Sequence, residues 1–132
     1  MANLMDSNIT QENKELLFKD LSARLPYHVK CKVWLEDGTT EEGLLDLQHN
    51  YGNVLQDAFY YDKIKDIKPY LLPMSSMTEE QYDEFINTCT FLRGSKFGWT
   101  DRTFDWLNKN HFDYRGLIPM GLANNATGLN IY

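Results

Sequence analysis

Apolar and polar residues alternate along one short stretch of this chain, and the alternation predicts a β-strand. From Val29 to Leu35 every second residue is apolar, and Lys30, Lys32 and Trp34 stand between them. Successive side chains of a strand point to opposite faces. One face of this strand is therefore predicted to be buried, and the other to carry both lysines and Trp34.

A small antiparallel sheet is predicted to continue from that strand. Asp37-Gly38 and residues 50–53 are turn signals, because glycine and asparagine accept the backbone angles of a tight reversal. A second strand is predicted to run through Leu45, and a last strand to end near Leu72. Pro69 lies within this last strand, and because proline cannot donate to a ladder, we expect an edge position.

Helical spacing of apolar residues brackets the predicted sheet. Asn8 to Arg24 is predicted to be a helix that buries Leu17, Phe18 and Leu21, and Pro26 ends it. Met77 to Cys89 is the strongest helical pattern in the chain, with Thr78 as N-cap and Gln81 where a capping box requires it.

The remainder of the chain is predicted to combine short helices with loops. Gly94 to Trp99 is predicted to be a loop, and Thr100 to cap a helix that runs through Asn108. Asp113 is expected to cap a further turn. The tail from Gly121 to Tyr132 is expected to run irregularly over the surface.

These elements predict an α+β fold. It consists of an N-terminal helix (1–26), a small SH3- or Sm-like antiparallel β-barrel (27–73), and a C-terminal module of two or three helices (74–132) packed on the barrel. A chain of 132 residues suits one such compact unit.

Charge and composition restrict the classes of function. The formal net charge is -6, and the few groups of lysines are interrupted by acids, so extensive contact with phosphates is not favoured. No apolar run approaches the roughly 20 residues of a membrane-spanning helix, and the start of the chain has no secretion signal. We therefore expect a cytoplasmic protein.

No group of residues forms a catalytic or metal-binding motif. The histidines are scattered, and His111 is best explained as a partly cationic residue at a helix C-terminus. Cys31 and Cys89 fall on predicted apolar faces, which favours two buried free thiols, although a disulfide between them stays open. The sequence thus predicts no enzyme, no metal and no cofactor.

The spacing from Val33 onward resembles the first motif of the Sm family. Asp37-Gly38, Gly43, Leu45 and Asn53 match that motif, and a helix before the barrel also suits the family. The family's RNA site does not carry over, apart from Asn53. His49 stands where that site has an aspartate, and residues 66–70 lack the Arg-Gly of the second motif.

A second resemblance concerns the segments Ile67 to Thr78 and Thr103 to Ala123. They are similar to a family of short uncharacterised proteins of phages, prophages and mobile elements of gut bacteria. This resemblance implies a setting in a bacterial host and no assigned activity.

The leading hypothesis is a non-enzymatic phage or mobile-element protein that binds a host or phage protein, or forms a homo-oligomer. Nucleic-acid or signalling-nucleotide binding by an Sm-like barrel is the alternative, followed by a virion component. Aromatic residues also serve to pack helices onto a sheet, so the C-terminal aromatics are either core or surface. The candidate binding surface consists of Lys30, Lys32, Trp34, Asn53, Trp99, Trp106, Tyr114 and Arg115.

Overall fold

The computed structural model describes residues 10–45, 64–92 and 96–132, and they form an α+β fold. Within these ranges three helices, α1 (Gln11–Arg24), α2 (Glu79–Thr88) and α3 (Asp101–Lys109), accompany seven strands. The strands are β1 (Lys30–Leu35), β2 (Thr40–Leu44), β3 (Ile64–Pro73), β4 (Thr90–Leu92), β5 (Lys96–Gly98), β6 (Phe112–Asp113) and β7 (Asn124–Asn125). Short 3-10 turns span Leu25–Tyr27 and Met74–Ser76.

The first helix begins close to its predicted start and packs on the sheet. The Thr10 hydroxyl accepts a hydrogen bond from the Asn13 amide at 3.1 Å, which caps α1. Leu17 and Leu21 are fully buried, as predicted. The prediction for Phe18 was wrong, because its side chain is 44% exposed beside that buried stripe.

The central sheet confirms the predicted alternation along β1. Val29, Cys31 and Val33 are buried under α1, while the intervening side chains are only half-buried. β1 pairs antiparallel with β2 and with β3, so that Cys31 lies opposite Gly43 on one side and Pro69 on the other.

β3 is an interior strand, so the edge position predicted from Pro69 was wrong. Beyond its pairing with β1, β3 also pairs in parallel with β7 at Tyr70 and with β6 at Leu72. The Lys30 amide and the Tyr70 carbonyl both point into the gap between β1 and β3, where they share one partner. Because hydrogen-bonded pairs alternate along an antiparallel ladder, the next pair, Cys31 with Pro69, is a non-hydrogen-bonded pair. The missing amide of Pro69 therefore costs no bond to β1.

The tail is a structural part of the sheet, which corrects the expectation of an irregular surface segment. Leu122, Ala123 and Ala126 are buried, and the Ala126 amide donates to the Leu71 carbonyl at 2.8 Å. The Tyr132 hydroxyl accepts from the Lys30 amide at 2.9 Å and donates to the Tyr70 carbonyl at 2.6 Å.

One further local prediction was wrong and another is confirmed. The segment predicted as a loop contributes β5, which pairs antiparallel with β4. Asp113 caps the turn that follows β6, as predicted: its carboxylate accepts from the Leu117 amide at 2.8 Å and the Ile118 amide at 2.9 Å.

The buried apolar residues form two clusters. The first joins α1 and the sheet to the tail, with Leu17, Ile67 and Leu117 at its centre. The second lies under α2 and α3 around Phe85, Leu107 and Phe112. In the described part of the chain five strands form a mixed sheet in the order β2-β1-β3-β6, with β7 also paired to β3, and β4 and β5 form a separate two-stranded sheet. Closure of the larger sheet into a barrel stays a prediction.

Candidate interaction surface

The junction of α2 and α3 fixes the position of the C-terminal aromatic residues. The Thr88 carbonyl, at the end of α2, accepts from the Thr100 hydroxyl at 2.8 Å and from the Thr103 hydroxyl at 3.0 Å. Thr100 also caps α3, and Thr103 completes its capping box. These hydrogen bonds hold the C-terminus of α2 against the N-terminus of α3. The predicted capping box of α2 between Thr78 and Gln81 is confirmed.

Trp99 precedes this junction and contacts three other aromatic rings. Its ring centroid lies 5.8 Å from Phe85, 5.5 Å from Phe104 and 6.3 Å from Tyr114, each in edge-to-face geometry. Such geometry places the positive edge of one ring on the negative face of the next and fixes their relative orientation. Nevertheless, 42% of Trp99 and 39% of Phe104 remain exposed.

The β4–β5 hairpin extends the exposed aromatic area. Phe91 and Phe97 are directly opposed across the hairpin, with ring centroids 5.7 Å apart, and both are exposed. Phe97 lies two residues before Trp99 in the chain. We name the exposed set the aromatic surface; it consists of Tyr82, Phe91, Phe97, Trp99 and Phe104.

Tyr114 connects the aromatic surface to the buried polar groups of α1. Its hydroxyl donates to the Asn108 side chain at 2.9 Å and accepts from Arg115 at 2.7 Å. The guanidinium carbons of Arg24 and Arg115 lie 5.3 Å and 4.7 Å from its ring centroid, within cation–π distance. Both arginines also bind the fully buried Asp20 carboxylate. Tyr114 is therefore held from three sides.

Trp106 faces the interior of the same module. Its ring stacks on Phe112, with ring centroids 5.6 Å apart and an interplanar angle of 11°. Its centroid also lies 6.0 Å from the centroid of Phe85. Trp106 therefore belongs to the second apolar cluster, whereas Trp99 belongs to the aromatic surface. The predicted C-terminal aromatics thus divide between core and surface.

The predicted residues of β1 form a separate group on the outer face of the sheet. The Nζ atoms of Lys32 and Lys68 lie 5.4 Å and 5.6 Å from the centroid of the Trp34 ring. Lys30 lies two residues before Lys32 along β1, and its side chain is therefore on the same face of the sheet. Asn53 lies outside the described residues.

Several residues of these surfaces escaped prediction from the sequence. Lys68 is opposite Lys32 only because β1 and β3 pair in this register. Phe91 and Phe97 meet only because the predicted loop is part of a hairpin; the position of Phe97 between Lys96 and Gly98 was the available signal. For Phe104, the sequence indicated a position in a helix and nothing about the exposure of its side chain.

Carboxylates flank the aromatic surface. α2 carries four exposed acids and no basic residue, and none of the acids forms an ion pair within the described residues: Glu79, Glu80, Asp83 and Glu84. Glu79 and Asp83 also line a surface cavity of about 430 Å³ whose apolar walls are Met74, Met77 and Tyr82. Tyr82 joins this cavity to the aromatic surface.

The two cysteines and His111 are fully or partly buried. Cys31 is buried in the first cluster, where burial raises the pKa of its thiol, and Cys89 is a free thiol at the second cluster. His111 is stacked on Tyr132, and burial lowers the pKa of its imidazole to about 4. It is therefore neutral at pH 7, and the expectation of a partly cationic side chain was wrong.

Neither known proteins nor a metal-binding cluster of side chains indicates a function for this chain. No family model, curated protein or solved structure matches the chain. Within residues 10–45, 64–92 and 96–132, no three potential ligands converge on a metal position, and no helix is long and apolar enough to cross a bilayer.

Proposed function

We propose that this protein acts by binding a partner protein through the aromatic surface. The observation that carries the proposal is the exposure of five large aromatic side chains on α2, on the β4–β5 hairpin and at the start of α3. Contiguous exposed apolar area is uncommon on monomers and is typical of interaction sites. Aromatic side chains also supply a large share of the residues that dominate binding energies.

The rigidity of the junction supports this assignment. Trp99 and Phe104 are positioned by ring contacts and by the shared Thr88 carbonyl, so little conformational entropy remains to be lost on binding. A flexible apolar segment would lose much of its contact energy to ordering. The surface is therefore preorganised for a partner.

Charge identifies the kind of partner. A twofold contact through this surface between two copies of the chain would bring the exposed acids of α2 toward the same acids of the second copy. Like charges across an interface oppose association. A partner that surrounds an apolar centre with lysines or arginines meets no such repulsion, and one basic side chain suits the Glu79–Asp83 cavity over the Tyr82 ring.

The resemblance to phage and mobile-element proteins supplies the proposed setting. In the cytoplasm of a bacterial host, the partner would be a host or phage protein and this chain a non-enzymatic regulator of it. A virion component would instead be recovered with purified particles, which is a direct way to distinguish the two roles.

The test measures affinity for the partner recovered with the intact chain from cells that produce it. Calorimetry with purified components compares the wild type with Trp99→Ala, Phe104→Ser and, as a matched control on α1, Phe18→Ser. We expect each variant of the aromatic surface to weaken binding about tenfold or more, as for an interface hot spot, and the control to bind normally. Equal binding by all four proteins would contradict the proposal.

Salt dependence tests the charge argument separately. Binding is expected to weaken as ionic strength rises, and Asp83→Asn is expected to reduce that dependence. Asp105→Asn removes the same charge from an exposed position on α3 and serves as the control. A salt-independent affinity would mean that the acids of α2 play no part.

A further inference from the structure

Two lysines stand directly opposite each other on the outer face of the sheet. In the register of β1 and β3, Lys32 is the cross-strand partner of Lys68. Like charges at directly opposed positions destabilise a sheet. In a chain with a net charge of -6, this local excess of positive charge runs against the overall balance.

Two acids on the same face offset part of this positive charge without forming ion pairs with the lysines. Glu42 is opposite Lys32 on β2, and its carboxylate accepts the Tyr70 hydroxyl. The Asp66 carboxylate accepts the Ile67 amide at 2.8 Å; burial raises the pKa of this carboxyl, and the charge of Lys68 acts to lower it. Within the described residues neither lysine forms an ion pair, although both are half-buried.

The two ammonium groups lie instead over one aromatic ring. Both Nζ atoms are within 5.6 Å of the Trp34 centroid, so the indole and the two cations form one compact group. An indole face stacks on a planar base, and ammonium groups bind phosphate oxygens. Sequences break a local rule of stability most often where a residue serves a function.

We propose that Lys32, Trp34 and Lys68 bind a nucleoside phosphate, either free or within a single strand. The phosphate takes the two ammonium groups, and the base takes the indole face that they leave. Lys30 adds a third positive charge on the same face. This site shares no residue with the aromatic surface.

The experiment measures binding by the intact protein at low salt with three probes: ATP, inorganic tripolyphosphate and a short oligothymidylate. Tryptophan fluorescence and the indole N–H signals in NMR spectra report the contact, and Trp34→Phe assigns the Trp34 signal. We expect ATP to bind more tightly than tripolyphosphate, because only ATP can stack. Oligothymidylate bound more tightly than ATP would identify a single strand as the source; the reverse order would identify a free nucleotide.

Matched variants separate a defined site from general attraction. Lys32→Gln and Lys68→Gln are each expected to weaken binding, whereas Lys19→Gln, with the same change in charge on α1, is expected to have no effect. Trp34→Ala is expected to weaken binding at least about fivefold through lost stacking. If Trp34→Ala does not fold, Trp34→Phe is expected to retain most of the affinity.

Three outcomes would overturn the proposal. The first is no binding of any probe, and the second is tripolyphosphate bound as tightly as ATP. The third is a loss in Lys19→Gln equal to the loss in Lys32→Gln. Since none of these involves Trp99 or Phe104, failure here leaves the proposed protein-binding function standing.

Discussion

The hydroxyl of Tyr132 occupies a position where two strands would otherwise bond to each other directly. Continuing the register of β1 and β3 by one pair from Cys31 and Pro69 makes Lys30 the partner of Tyr70. The Lys30 amide instead donates to the Tyr132 hydroxyl, which donates in turn to the Tyr70 carbonyl. One phenol oxygen therefore takes the place of one backbone hydrogen bond.

Tyr132→Phe removes that oxygen and keeps the ring, including its stack on His111 with centroids 3.7 Å apart. One backbone donor and one backbone acceptor lose their partner. Leaving a buried polar group unpaired costs about 1–3 kcal/mol. Because Tyr132 is 46% exposed and water can replace part of the loss, we expect a decrease of about 1–2 kcal/mol in the free energy of unfolding.

Urea denaturation measures this loss, and amide hydrogen exchange locates it at Lys30. Tyr27→Phe is the control, because the Tyr27 hydroxyl has no hydrogen bond among the described residues. We expect the Lys30 amide to exchange faster only in Tyr132→Phe. Unchanged stability with a protected Lys30 amide would show that the strands close directly on each other, and the bridging role would be refuted.

Three further predictions concern the buried polar groups. Arg24→Met is expected to lower the free energy of unfolding in urea titrations by about 3–5 kcal/mol, because it removes one of the two arginine partners of the buried Asp20 carboxylate. Adding Asp20→Leu to this variant is expected to recover part of that loss. The pKa of His111 is depressed to about 4, so the unfolded state takes up the proton first and stability falls as pH decreases from about 6.5 to 4. His111→Asn, which tolerates the same left-handed backbone, is expected to flatten that dependence, and an unchanged slope would assign it to other groups. Thr103→Val removes one of two hydroxyl bonds to Thr88 and is expected to cost about 1 kcal/mol in thermal unfolding, with an unaltered midpoint as the contrary result.

Local patterns allowed much of the secondary structure to be predicted. Alternation identified the buried face of β1, and capping residues identified the starts of α2 and α3. These features depend on neighbours along the chain, so the sequence displays them directly. The outward direction of Trp34 followed from the same periodicity.

Features that depend on distant pairing could not be predicted in this way. Nothing near Pro69 indicates that residues more than fifty positions later pair with β3, so an edge strand was the reasonable expectation. The tail residues Leu122 and Ala126 carry no strong strand pattern, yet both are buried, and the Ala126 amide donates to the Leu71 carbonyl of β3. The opposition of Lys32 and Lys68 likewise arises from the register alone.

Site-specific photo-crosslinking in cells that produce the protein shows whether the aromatic surface binds a basic partner. A photoreactive residue replaces Phe104 or Phe91 on the aromatic surface, or Phe18 on α1, and the adducts are identified by mass spectrometry. We expect positions 104 and 91 to capture the same partner, through a segment rich in lysine or arginine, and position 18 not to capture it. Adducts between two copies of this chain, or equal capture from all three positions, would refute binding of such a partner by this surface.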